Sequence, residues 1–362
     1  MLGADAMALI LAQLLMRAGI AVSVLERDPD VAKRLGARFR QLGLGVPVVS
    51  DTAAALEIAS RARLTVRGSL GPNGNSWPGS DKQSQQVLIC DSEVEAQAFL
   101  SAGTVPSDRA ALRLAVPGSG LAEIFLRDHD FAISGPVASV MARLGCASIR
   151  LLPGQQGPVP RLLARYLATA EALCMAGVPP WELDEALENI GFQFGPCALM
   201  DRLGLDKVLH GRAQLKAQGC ILPDPGIIQR MVTEGRLGRK SSVGWYRYPG
   251  GGGQVTDPLI EDLVREEAWF ARIPQRAFDA CCLQNHIVAA VLAEAQALLA
   301  ESAISRPSDA DLATVLALGF PTRLGGALWL GEQLGTDWCR TAIANMQADL
   351  SDVADSSPVS RT

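Results

Sequence analysis

The chain has 362 residues, 48 % hydrophobic and 20 % charged, with a formal net charge of −5. That length exceeds one ordinary core and implies two or three domains of globular composition. The acidic balance excludes the basic face of a nucleic-acid surface. No apolar run reads as a membrane span, and Met7–Met16 lacks a signal peptide's flanks, so the cytoplasm is the expected location.

In chain order, "MLGADAMALILAQLLMRAGIAVSVLERD" reads as a glycine turn, a helix, a short strand and an acid. That is the order of a dinucleotide-binding βαβ unit, but only Met1 and Leu2 precede the turn, so the first strand is absent. Either this Met1 lies downstream of the true start, or the sheet is not the standard one. In the turn, Gly3-Ala4-Asp5-Ala6-Met7-Ala8 keeps the first glycine and places Asp5 where a second lets the backbone approach a pyrophosphate. Gly3, Ala6, Met7 and Glu26, the last at the ribose-binding distance, are the candidate cofactor contacts.

Residues 1–152 continue with strand-like "ARLTVRG", "QVLICD", "ALRLAV" and "CASIRLL" and helix-like "DPDVAKRLGARFRQLG" and "SGPVASVMARLG", the alternation of a parallel α/β sheet. "GSLGPNGNSWPGSDKQS" reads as a loop, and "LPGQQGPVP" as a hinge. From Arg161 the pattern is helical, interrupted by "PGGGGQVTDP", which reads as a flexible linker. This places helical domains at 153–250 and 251–349, with a disordered tail at 350–362. The helical part repeats: Glu171, Asp184, Gly191 and Asp206 align with Glu294, Asp311, Gly319 and Asp337, as in two copies packed on a shared face. The fold expected is an α/β Rossmann-like domain without its first strand, followed by an all-α region of two related domains.

Eight cysteines form no C-x-x-C pair, and the three histidines are read as lying away from any cysteine cluster, so no metal site is expected. His129 reads as part of an exposed turn, and His210 and His286 as helical packing or surface residues.

The segments "GFQFGPCALMDRLGLD", "MVTEGRLGRKSSVGWYRY" and "LGFPTRLGGALWLGEQLGTD" resemble the L-3-hydroxyacyl-CoA dehydrogenase family. The resemblance is strongest to the dehydrogenase part of multifunctional fatty-acid β-oxidation proteins, which duplicate the helical domain. It covers about residues 161–338, and more loosely the N-terminal region. It implies NAD as cofactor, an acyl-CoA substrate or ligand, and a homodimer or a subunit of a β-oxidation complex. The family removes the substrate's hydroxyl proton with a histidine oriented by a glutamate. Glu123 takes the glutamate position here and is the one catalytic candidate, while family spacing puts Ala111 where the histidine belongs. Glu93 stands at a substrate-contacting serine position and Pro160 at an asparagine position. Arg236, Arg239 and Lys240 either meet CoA phosphates or belong to a turn that docks Trp245 and Tyr246. Asp201 and Asp206 read as caps and turn anchors. The resemblance therefore implies a dehydrogenase by descent that is impaired or inactive. The alternative is a non-catalytic structural or regulatory subunit that binds acyl-CoA or a partner protein.

Overall fold

The computed structural model describes residues 13–25, 28–51, 54, 57, 64–67, 85–90, 93–101, 109–114, 116, 119–127, 133–153, 155–222 and 226–354. Gly3, Asp5, Ala6, Met7, Ala8, Glu26 and His129 lie outside them. The chain divides into two compact units, Met1–Gly157 and Pro158–Thr362.

In the first unit, β1 (Val24–Leu25) pairs in parallel with β2 (Val48–Val49). Helix α1 (Pro29–Gln41) connects them, with Asp28 capping the amides of Asp30 and Val31. A five-stranded sheet runs in the order β3 (Leu64–Arg67), β4 (Gln85–Ile89), β5 (Arg109–Leu114), β6 (Leu121–Leu126), β7 (Ala147–Leu151). Helix α2 (Glu93–Ser101) follows β4 and helix α3 (Ser134–Arg143) precedes β7.

The expected all-parallel sheet needs one correction: β5 and β6 are antiparallel, whereas the other neighbours are parallel. Residues 115–120 are too few for a crossover between parallel strands, so "RLAVPGSGLAE" turns back on itself. Alternation then gives β4–β6 two unlike faces. Val87, Ile89, Ala110, Leu112, Ala122 and Ile124 join Val137 and Met141 of α3 in an apolar cluster. By the same alternation the opposite face carries Ala111, Arg113, Glu123 and Phe125.

The second unit is helical: α4 (Pro158–Met175), α5 (Pro180–Asn189), α6 (Pro196–Leu203), α7 (Leu205–Ala217), α8 (Ile227–Thr233), α9 (Pro258–Phe270), α10 (Ala280–Ala300), α11 (Pro307–Leu318), α12 (Ala327–Leu334), α13 (Thr336–Asp349) and α14 (Ser351–Ala354). Helix α10 corrects the reading that no apolar run reaches membrane length. Its 21 residues are long and apolar enough by composition, yet most of that stretch is buried inside the unit, where it packs on α4 and α13.

The aligned repeat residues recur in one construction. Asp184 of α5 accepts hydrogen bonds from the amides of Cys197 and Ala198 at the start of α6. Asp311 of α11 accepts them from Leu328 and Trp329 at the start of α12. Each cap rests on a glycine with no room for a side chain. A Cβ on Gly195 would lie 2.1 Å from the Asp184 carboxyl carbon, and one on Gly326 2.4 Å from Asp311 Cβ. Both copies thus satisfy a helix N-terminus with a carboxylate from the preceding helix.

The glycine stretch read as a flexible linker is tied at both ends. Arg247 and Val255 bridge across it, and buried Asp257 caps α9 while pairing with Arg236. In the segment read as a disordered tail, Ser351–Ala354 is helical and Val353 is buried; residues 355–362 lie outside the described ones.

Candidate functional site

The antiparallel register decides what faces Glu123. Arg113 lies directly across from it, and Ala111 is opposite Phe125. Directly paired residues on one face bring their side chains into contact. Arg113 Nε donates to Glu123 Oε2 at 2.7 Å, and Arg113 Nη2 lies 3.5 Å from Glu93 Oε1 at the start of α2. The guanidinium also sits 5.1 Å from the centre of the Phe125 ring.

Glu123 is fully buried, so the cost of desolvating it is offset only by a close opposite charge. Burial pulls the Arg113 guanidinium down, but Glu123 and Glu93 outweigh it and hold it above its ordinary value. Glu93 is pushed up by burial, against Arg113 and an amide hydrogen bond. That amide is Gly157 N, which donates to Glu93 Oε1 at 2.8 Å. A Cβ on Gly157 would lie 2.0 Å from Arg113 Nη2 and 2.6 Å from Glu123 Oε1. Glycine here is a steric requirement of the ion cluster.

The structure therefore brings together Glu93 and Glu123, two of the residues singled out from sequence, and adds Arg113 and Gly157. Fully buried Ala111 offers no proton acceptor. Pro160 lies in the first turn of α4, in the other unit. A signal for Arg113 is present in the sequence: Arg113 and Glu123 each lie five residues from Gly118, so two antiparallel strands centred there set them opposite one another.

The basic loop is engaged within its own unit. Arg236 donates to Gly244 O and Asp257, Arg239 lies over the Tyr248 ring, and Lys240 pairs with Asp206. Asp201 accepts from the amides of Trp245 and Tyr246 and from the Tyr248 hydroxyl. Glu171 and Arg212 form a buried ion pair. His210 is exposed, and His286 is buried against Asp349.

Residues 159–248 match the family described as 3-hydroxyacyl-CoA dehydrogenase, C-terminal domain. Among curated proteins, the fatty acid oxidation complex subunit alpha of Acinetobacter baylyi is 30 % identical over 185 residues, covering 49 % of this chain and 25 % of the relative. The protein of the same name from Psychrobacter arcticus is 30 % identical over 187 residues, 49 % of this chain and 26 % of the relative. The chain thus spans about a quarter of the length of these relatives.

Two solved structures share the fold. The dehydrogenase part of multifunctional enzyme 1 from C. elegans has a TM-score of 0.69 at 20 % identity, with 96 % of this chain and 84 % of that one covered. The 3-hydroxybutyryl-CoA dehydrogenase of Escherichia coli has a TM-score of 0.71 at 17 % identity, with 99 % and 96 % covered. The match places residues 159–248, a segment of the helical unit, with the C-terminal domain of 3-hydroxyacyl-CoA dehydrogenases.

Proposed function

We propose that this chain is a 3-hydroxyacyl-CoA dehydrogenase by descent, linked to fatty-acid oxidation, in which the standard NAD-dependent oxidation is impaired or lost. The observation that carries the reading is the Glu93–Arg113–Glu123 cluster beside Ala111. Oxidising a 3-hydroxyacyl thioester sends a hydride from C3 to the nicotinamide and a proton from the hydroxyl to a base. In the family a histidine takes that proton while a carboxylate steadies the imidazolium. Ala111 takes no proton, and Glu123 is committed to Arg113. Bound NAD would supply the hydride acceptor. Its candidate contacts Gly3, Ala6, Met7 and Glu26 lie outside the described residues.

A non-catalytic role fits the contrast between the units. The helical unit keeps the family pattern, and the relatives it matches are named as complex subunits. On this reading the chain is a structural or regulatory subunit, as a homodimer or within an oxidation complex in the cytoplasm, and binds acyl-CoA or a partner protein. A second catalytic reading rests on Glu93, whose side chain is 16 % exposed and whose carboxyl burial pushes up. A carboxylate so tuned is a candidate substitute proton acceptor. Turnover of acetoacetyl-CoA and NADH separates the readings. The impaired form runs about 10²–10⁴-fold below an ordinary dehydrogenase, whereas a Glu93-driven enzyme turns over normally and loses activity in E93Q.

A further inference from the structure

One cluster in the helical unit has no part in the reading above. Cys282 and His286 lie one turn apart near the start of α10, and the last residue of α13, Asp349, meets them. Cys282 Sγ is 3.6 Å from His286 Nδ1 and 4.0 Å from Nε2, and Nε2 is 3.0 Å from Asp349 Oδ2. One ligand atom from each residue lies within 4.8 Å of the others. We propose that Cys282, His286 and Asp349 form a binding site for a divalent transition metal of the zinc class.

The donor set is the first argument. Thiolate, imidazole and carboxylate together suit Zn²⁺, whereas oxygen-only sets suit Mg²⁺ or Ca²⁺. Geometry is the second. Zinc bonds of about 2.0–2.3 Å at tetrahedral angles separate ligand atoms by roughly 3.3–3.6 Å. The observed separations through Nε2, 3.0 and 4.0 Å, bracket that range. Side-chain rotation alone closes the difference, because the i, i+4 spacing already puts Cys282 and His286 on one helix face.

Orientation and charge are the third. Arg276 donates to Asp349 Oδ1 at 3.3 Å and to Asp352 at 2.7 Å, so it steadies the carboxylate while Oδ2 faces the histidine. Asp279 caps α10 by accepting from Cys282 N and adds a further negative charge. Asp349 and Asp352 share the one guanidinium of Arg276 while Asp279 sits by Cys282, so the cluster carries an excess of negative charge that a divalent cation balances. The Phe278 ring packs edge-on against the imidazole and shields one side. Three protein ligands leave a fourth position for water or another ligand. The ion would clip α10 to α13, and its uptake would release the Cys282 proton.

The test is Zn²⁺ and Co²⁺ binding by the full chain. The expected result is one Zn²⁺ retained per chain after dialysis, proton release on uptake, and a thiolate-to-metal charge-transfer band with Co²⁺. C282S loses the band and the retained ion, D349N weakens affinity at least tenfold, and C281S leaves both intact. The chain has eight cysteines without a disulfide, so the variants are decisive. The proposal is overturned if the wild-type chain retains no metal, or if folded C282S and D349N retain it as the wild type does.

Discussion

Replacing Arg113 with methionine removes the counter-charge of a carboxylate that has no solvent exposure. In the native chain the guanidinium donates to Glu123 at 2.7 Å and lies 3.5 Å from Glu93. Methionine fills much of the volume but leaves Glu123 charged in an apolar sheet face, a loss of about 3–5 kcal/mol. Glu93 contributes less, because its side chain keeps 16 % exposure. Two units need not unfold as one, so global denaturation is the wrong assay. Amide hydrogen exchange across β5 and β6 reads the local opening instead. Protection there should fall by roughly two to three and a half orders of magnitude, at about 1.4 kcal/mol per tenfold.

The double variant R113M/E123Q removes both charges and should recover most of that protection, the signature of a pair coupled in a thermodynamic cycle. A loss under about 1 kcal/mol in R113M, or no recovery in the double variant, refutes the assignment of Arg113 as the charge partner.

Other variants test neighbouring claims. G157A forces a Cβ to within 2.0 Å of Arg113 Nη2 and should cost at least the roughly 1–3 kcal/mol of an overpacked core; a neutral result in the same exchange assay removes the steric role of Gly157. A111H puts an imidazole at a fully buried alanine, with a similar destabilisation expected, and it should restore no turnover because Glu123 remains paired with Arg113. Burial pushes Asp184 up to about 7, against hydrogen bonds from Cys197, Ala198 and Tyr246. Its contribution is therefore fully present below pH about 4 and is lost as the pH rises through about 7. D184N cannot ionise and should flatten the pH dependence of helical-unit stability over that window, read by Trp245 fluorescence; an unchanged slope contradicts the raised pKa. D201A orphans the Trp245 and Tyr246 amides and the Tyr248 hydroxyl and should destabilise the helical unit by at least about 3 kcal/mol, read as lost amide protection in the helical unit.

Local chemistry explains which features were legible in the sequence. Asp184 with Gly195 and Asp311 with Gly326 satisfy a helix start from the preceding helix, so each residue type carries its own reason and the duplication shows in the text. The register of β5 and β6 rests on spacing alone: family spacing points to Ala111, whereas the antiparallel pairing of the two strands sets Arg113 against Glu123. The glycine run looked like a linker because glycine signals freedom in the unfolded chain, whereas Asp257 and the Arg247–Val255 bridge hold its ends by contacts distant in sequence. The Cys282–His286 pair falls outside the C-x-x-C spacing that marks the familiar metal motifs. A helix makes i, i+4 equally close, and Asp349, 63 residues beyond His286, is visible only in the fold.

Loss of dehydrogenase activity is tested by steady-state reduction of acetoacetyl-CoA by NADH with the purified chain, alongside E93Q. An impaired dehydrogenase gives turnover about 10²–10⁴-fold below an ordinary one, with no further loss in E93Q. Turnover in the ordinary enzyme range of roughly 1–10³ s⁻¹ contradicts the account, and its loss in E93Q would identify Glu93 as the base.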